Sequence, residues 1–107
     1  MTNQPDNWVI IQIKGDDPHY RVLAGWSGGY ATGDSWQMNS GIVKIEDDED
    51  YWLFHGASGS VYRCHKEAYG LRMNNGYIWD KLQDKHGDKV HLMEEDTVWT
   101  ELDWIIG

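Results

Sequence analysis

Residues Tyr51 to Gly70, YWLFHGASGSVYRCHKEAYG, restrict the fold of this chain more than any other stretch. Aromatic and β-branched residues run through Tyr51–His55 and Ser60–His65, and Gly56-Ala57-Ser58-Gly59 between them favours a chain reversal. The stretch therefore predicts a β-hairpin. With four residues in the loop, His55 stands opposite Ser60 and Arg63 opposite Trp52. Tyr20 to Tyr30 (YRVLAGWSGGY) repeats the spacing of the first unit: Tyr, four residues, Gly, one residue, Ser, Gly. The two units are candidates for neighbouring hairpin corners.

The rest of the chain extends this β pattern. Val9, Ile11 and Ile13 alternate with Trp8, Ile10 and Gln12, so Trp8–Lys14 predicts a strand. Gly15-Asp16-Asp17-Pro18 predicts a turn. Tyr20–Trp26 returns, with Tyr20, Val22, Ala24 and Trp26 on one face. Ser27-Gly28-Gly29 ends that strand, and Tyr30–Ser35 reads as a loop or short edge strand. Trp36–Glu46 resumes strand character, with Gly41 marking a bulge or bend. Asp47-Asp48-Glu49-Asp50 leads into the hairpin, and repulsion among the four acids predicts a fully solvated tip. Lys66–Asn75 reads as irregular.

One helix is well signalled. Over Gly76–His86, Ile78, Trp79 and Leu82 share a face, Asn74 or Asn75 can cap the start, and Lys85 and His86 occupy the last turn. Gly87 follows where a left-handed terminating residue is needed. Val90–Met93 predicts a short strand. The tail from Glu94 to Ile106 matches both a helical stripe and strand alternation, and its leading acids select helix through the helix dipole. The sum is one α+β domain over residues 1–107, with residues 1–6 disordered. Its architecture is an antiparallel meander of five to six strands with one or two helices packed on it.

Composition narrows function by exclusion. The chain carries 18 Asp and Glu against 9 Lys and Arg, a net charge of −9. That balance argues against a nucleic-acid backbone as direct partner, because phosphate contacts rest on Lys and Arg. No apolar run reaches the roughly 18–20 residues of a membrane span, and the amino terminus has no leader-like pattern. These features predict a cytoplasmic protein that engages no membrane. The single cysteine, Cys64, excludes an internal disulfide, fits a reducing compartment and reads as a small buried hydrophobe.

The chemical motifs are weak. Gly25-Trp26-Ser27-Gly28-Gly29 has the G-x-S-x-G pattern of a nucleophile elbow, but no helix follows it and the chain is too short for that fold. Five His, Cys64 and many acids show no metal-ligand spacing. The run Glu46–Asp50 lacks the alternation and glycine of a calcium loop. No phosphate-binding glycine pattern occurs. The sequence thus calls for no metal, no cofactor and no catalytic residue.

Two functional readings remain, and neither is an enzyme. The leading one is a small acidic binding protein, an inhibitor or interaction module of the kind phages and mobile elements encode, that occupies a basic surface on a protein partner. Its contact residues would be Asp16 and Asp17, Asp47, Asp48, Glu49 and Asp50, and Glu94, Glu95 and Asp96, with exposed Trp and Tyr as anchors. The other is a domain for an anionic, nucleotide-like ligand. Arg63 and Arg72 would hold the phosphate, Ser27, Ser58 and Gly59 would line it, and Trp26 or Trp52 would stack on the base. With seven Trp and six Tyr, a homo-oligomer would also bury surplus rings.

Overall fold

The computed structural model describes residues 2–15, 18–26, 35–95 and 99. They form strands β1 (Thr2–Asn3), β2 (Asn7–Ile13), β3 (His19–Trp26), β4 (Ser35–Met38), β5 (Ile42–Asp48), β6 (Tyr51–Gly56), β7 (Val61–His65) and β8 (Val90–Leu92), and one helix, α1 (Met73–His86). The fold is sheet-rich α+β, as the patterning predicts. In place of one meander, the strands make two four-stranded sheets, ordered β4-β3-β2-β8 and β1-β7-β6-β5. Each is a three-strand antiparallel meander extended by a short strand from elsewhere in the chain.

The two sheets exist because the stretch expected as one strand, Trp36–Glu46, is two. β4 pairs with β3, and β5 pairs with β6 in the other sheet. The chain crosses between them at Asn39-Ser40-Gly41. Asn39 is buried there, and its side-chain oxygen accepts from the Val22 backbone N–H at 2.9 Å.

Strand β2 lies at the centre. Its even-numbered side chains Trp8 and Ile10, with Tyr20, Val22 and Ala24 of β3, face the other sheet and pack on Ile42, Phe54, Tyr62, Cys64 and Trp99. Its odd-numbered side chains Val9 and Ile11, with Leu23 of β3, face α1 and pack on Ile78 and Trp79. This is why Trp8–Ile13 is apolar at nearly every position: both faces of the strand are buried. The helix, one sheet and the second sheet form three layers.

The outer edge of β2 is closed piecewise. β8 pairs with Ile11–Ile13. Beyond its end the Tyr69 hydroxyl takes over, accepting from the Ile10 N–H at 3.2 Å and donating to the Met93 carbonyl at 2.5 Å. Further along, Gly70 N–H donates to the Trp8 carbonyl and Trp8 N–H to the Ala68 carbonyl. Lys66–Asn75, expected as irregular, thus holds a parallel bridge at Trp8–Tyr69 and the first turn of α1.

Helix α1 starts at Met73, three residues before the expected Gly76. Asn75 does act as a cap, but from inside the first turn: its side-chain oxygen accepts from the Arg72 N–H at 2.9 Å. It also accepts from Asn7 Nδ2 at 3.2 Å, while Asn75 Nδ2 donates to the Leu23 carbonyl at 3.3 Å. Asn7 and Asn75 are both fully buried. Their pairing satisfies polar groups that would otherwise be costly to bury, and it fixes the helix start to the sheet. At the other end Gly87 has φ +59 but ψ −126, a conformation that suits glycine without being the left-handed helical one expected, and its N–H donates to the Gln83 carbonyl.

Residues 2–6, expected to be disordered, are structured. Thr2 and Asn3 pair in parallel with Val61 and Tyr62, and Asp6 N–H donates to the Gly25 carbonyl. Most of the predicted tail helix, the Gly15–Pro18 turn at Asp16 and Asp17, and the Ser27-Gly28-Gly29 segment lie outside the described residues.

Two predictions follow from this packing. Gly76 sits in the first turn of α1, and a Cβ there would meet only Leu71 Cβ at 4.0 Å. Gly76→Ala is therefore expected to raise stability by about 0.5–1 kcal/mol in urea unfolding; a loss would show that the position is crowded. Burial pushes the Tyr69 phenol up to about 12, so the fold favours its neutral form. Its contribution is complete below about pH 10, the unfolded value, and is lost as pH rises through the folded one. Tyr69→Phe should cost about 1–2 kcal/mol at neutral pH and flatten part of the alkaline decline. An unchanged pH profile would contradict the assignment. Burial raises Tyr62 and Cys64 in the same direction, so part of the slope survives the substitution.

Candidate functional site: the acidic end of the outer sheet

The hairpin of β6 and β7 closes one residue later than expected. Gly56 N–H donates to the Ser60 carbonyl at 2.7 Å, leaving Ala57-Ser58-Gly59 as a three-residue loop. Gly59 has φ +95, the left-handed residue such a loop requires. The pairs are consequently His55–Val61, Leu53–Arg63 and Trp52–Cys64. Because side chains alternate across a strand, this one-residue shift puts Arg63 and Trp52 on opposite faces of the sheet. Trp52 packs inward against the core. Arg63 stands on the outer face, beside Tyr51 rather than Trp52, with its guanidinium carbon 3.6 Å from the Tyr51 ring centroid.

That outer face is laid out in three cross-strand rows, Asp48–Tyr51–His65, Glu46–Leu53–Arg63 and Lys44–His55–Val61. Arg63 reaches diagonally to Asp48, its Nε donating to Oδ2 at 3.3 Å, and its Nη1 donates to Gln4 Oε1 at 3.4 Å. Gln4 also accepts through its backbone carbonyl from Trp26 Nε1 at 3.0 Å. The ring of His65 meets Tyr51 edge-on, with centroids 5.0 Å apart. In the third row Lys44 lies 3.1 Å from Glu46, and that pairing holds the Glu46 carboxyl below its usual range, with His55 as a lesser cause. His55 Nε2 approaches the same carboxylate at 3.0 Å but is not aligned as a hydrogen bond.

The inner face has its own pairing. Lys66 Nζ donates to Asp47 at 2.6 Å and lies 4.4 Å from the Trp52 ring centroid. Lys66 N–H donates to the Asp50 carbonyl at 2.8 Å, which ties the end of β7 to the tip between β5 and β6. The result is a cleft of about 290 Å³ lined by Asp50, His65, Lys66 and Glu67. In it Glu67 N–H donates to His65 Nδ1 at 3.1 Å, leaving Nε2 as the ring's remaining polar atom.

The tip reaches solvent, as expected, but two of its four carboxylates are paired. Asp47 and Asp48 are held by Lys66 and Arg63, although their side chains keep 56% and 45% of their exposure, so each pair is worth at most about 1 kcal/mol. Glu49 and Asp50 are exposed at the turn itself. Glu49 has φ +57, alone among the described non-glycine residues in having a positive value.

Among the residues expected to bind an anionic ligand, the structure brings together Arg63 and, through Gln4, Trp26. Trp52 lies on the opposite face. Ser58 and Gly59 occupy the loop at the far end of the hairpin, where Ser58 N–H donates to Ser40 Oγ at 3.0 Å. Arg72 is exposed at the start of α1. The set does not form one site. For the acidic set, Asp47, Asp48, Glu49 and Asp50 converge, and Glu94 and Glu95 are exposed beyond β8 in the other sheet. Asp16, Asp17, Ser27 and Asp96 lie outside the described residues. Sequence reasoning missed Gln4, Tyr51, His65, Lys66 and Glu67. The signal for Lys66 was its place across the hairpin end from the acidic turn, which becomes readable only in the correct register. Among the described residues no cluster of His, Cys, Asp and Glu could hold a metal ion, and no helix is long and apolar enough to cross a membrane.

Lys66→Ala tests the inner pairing. Removing the ammonium and its alkyl stem should uncover Trp52, increasing quenching of its fluorescence by acrylamide, while stability changes by less than about 1 kcal/mol. Unchanged quenching would mean that Lys66 does not cover the ring.

No family model, curated protein or solved structure matches this chain.

Proposed function

We propose that this protein is a non-catalytic binding protein, an inhibitor or interaction module, that seats the acidic end of its outer sheet on a basic surface of a protein partner. One observation carries the reading: Asp47, Asp48, Glu49, Asp50 and Glu67 gather around one sheet end where, among the described residues, Lys66 and Arg63 are the paired cations. The two ion pairs orient Asp47 and Asp48, so less side-chain freedom is lost when a partner docks. Tyr51 and Trp52 flank these carboxylates and already carry a cation on their rings. A partner's Arg or Lys could use the same surfaces in an encounter complex. The net charge of −9 adds long-range attraction to any basic patch. A cytoplasmic setting, in which the lone buried Cys64 thiol stays reduced, suits this role.

The test uses Glu49 and Asp50, which are exposed and can be reversed with little effect on packing. Proteins captured from a cell lysate by the wild-type chain are identified by mass spectrometry. The association rate of the main one is then measured with wild type and with the Glu49→Lys/Asp50→Lys double variant. The variant should associate about tenfold more slowly at low salt, and the difference should shrink as salt rises. Equal rates for the two chains would reject the acidic end as the docking surface.

A further inference from the structure

We propose that Asn75-Gly76 is a self-modification site that the fold keeps closed: when α1 opens, the Asn75 side-chain amide converts to a carboxylate, and the converted chain can no longer close α1. It is the only Asn-Gly pair in the sequence. Asparagine followed by glycine is the pair most prone to intramolecular deamidation, because no side chain shields the glycine nitrogen. That nitrogen, on losing its proton, attacks Asn75 Cγ. A new N–Cγ bond closes a five-membered succinimide ring, and the side-chain nitrogen takes up a proton and leaves as ammonia. Water then adds to either ring carbonyl and opens the ring. The products are aspartate at position 75 or its β-linked isomer, which lengthens the backbone by one methylene. Solvent water is the sole co-reactant, and nothing is oxidised or reduced.

The native structure blocks each part of this reaction. The Gly76 N–H donates to the Arg72 carbonyl at 2.6 Å, within the first turn of α1. Asn75 is fully buried, out of reach of water. Its carboxamide is held at both ends: the oxygen accepts from Arg72 N–H and Asn7 Nδ2, and the nitrogen donates to the Leu23 carbonyl. Cγ therefore cannot swing toward the Gly76 nitrogen while α1 rests on β2 and β3. Opening the first turn removes every one of these restraints together, and the ends of helices are where local opening is easiest.

The same contacts make the change one-way. A carboxylate at position 75 would replace the donor facing the Leu23 carbonyl with a second acceptor. It would also bury a negative charge where the described hydrogen-bond partners are neutral. The β-linked product would in addition break the helical spacing at the turn that Asn75 organises. Closed molecules are protected, and opened ones are progressively withdrawn from the native state.

The proposal is tested with the whole chain in mildly alkaline buffer, native and in urea. Conversion at Asn75 is followed by peptide mass spectrometry and an isoaspartate assay. Conversion in urea should exceed native conversion at least about tenfold, the ratio reporting how seldom α1 opens. After dilution from urea, the fraction that refolds should fall in step with conversion. Gly76→Ala keeps the Asn75 contacts and shields the attacking nitrogen, so it should convert several-fold more slowly and retain its ability to refold. Asn75→Asp made directly should show a lowered Tm or fail to fold. Equal conversion in native and unfolded protein, no conversion in urea, or an Asn75→Asp variant as stable as wild type would each overturn the proposal.

Discussion

Burying β2 on both faces and along both edges is the constraint from which the other layers follow. A strand apolar at Trp8, Val9, Ile10 and Ile11 needs cover on each side. The second sheet supplies it through Phe54, Tyr62 and Cys64, and α1 through Ile78 and Trp79. Once both faces are covered, every backbone N–H and C=O along the edges needs a partner as well. β3 serves one edge. The other is divided among β8, the Tyr69 hydroxyl and the Ala68–Gly70 backbone, which come from two stretches of chain far from β2 in sequence. Tyr69 is the hinge of this arrangement, since its ring also packs edge-on against Trp8 at 4.8 Å and lies 5.7 Å from Trp99.

The abundance of Trp and Tyr is largely an answer to that constraint. Trp8, Phe54, Tyr69 and Trp99 form a cluster of tilted and edge-on rings between the sheets. Tyr69 donates its hydroxyl to the Met93 carbonyl, and Trp8 Nε1 donates to the His65 carbonyl at 2.7 Å. That bond links the core directly to the end of β7, where the candidate site begins. The acidic end is therefore built on a rigid base, with Lys66 and Arg63 splayed to opposite faces of the same sheet and each restraining one carboxylate. A fully repelling tip would disperse its carboxylates. Here Asp47 and Asp48 are held by those two pairs.

Much of this was legible in residue patterns. Alternation at Trp8–Ile13 and Tyr20–Trp26 revealed the first hairpin, and the Gly56–Gly59 segment revealed the second. Helix α1 was announced by Ile78, Trp79, Leu82 and Gly87. The rest is hidden by local ambiguity with non-local consequences. A Gly-rich loop can hold three residues or four, and the choice decides whether Arg63 joins Trp52 or Tyr51. Gly41 can be a bulge within one strand or the corner where the chain changes sheets. The strand at Thr2–Asn3 has no signal of its own, because two residues gain β structure only from the β7 edge they meet.

By itself the sequence determined the periodicities: which segments are extended, which one is helical, and where acids accumulate. These follow from local backbone preferences and from the alternation of apolar with polar side chains, which are written residue by residue. The tertiary structure decided the register of β6 against β7, the division into two sheets, and the partners of Asn75, Tyr69, Arg63 and Lys66. Each depends on contacts between residues far apart in the chain, where loop closure and the need to satisfy buried polar groups choose among locally equivalent alternatives.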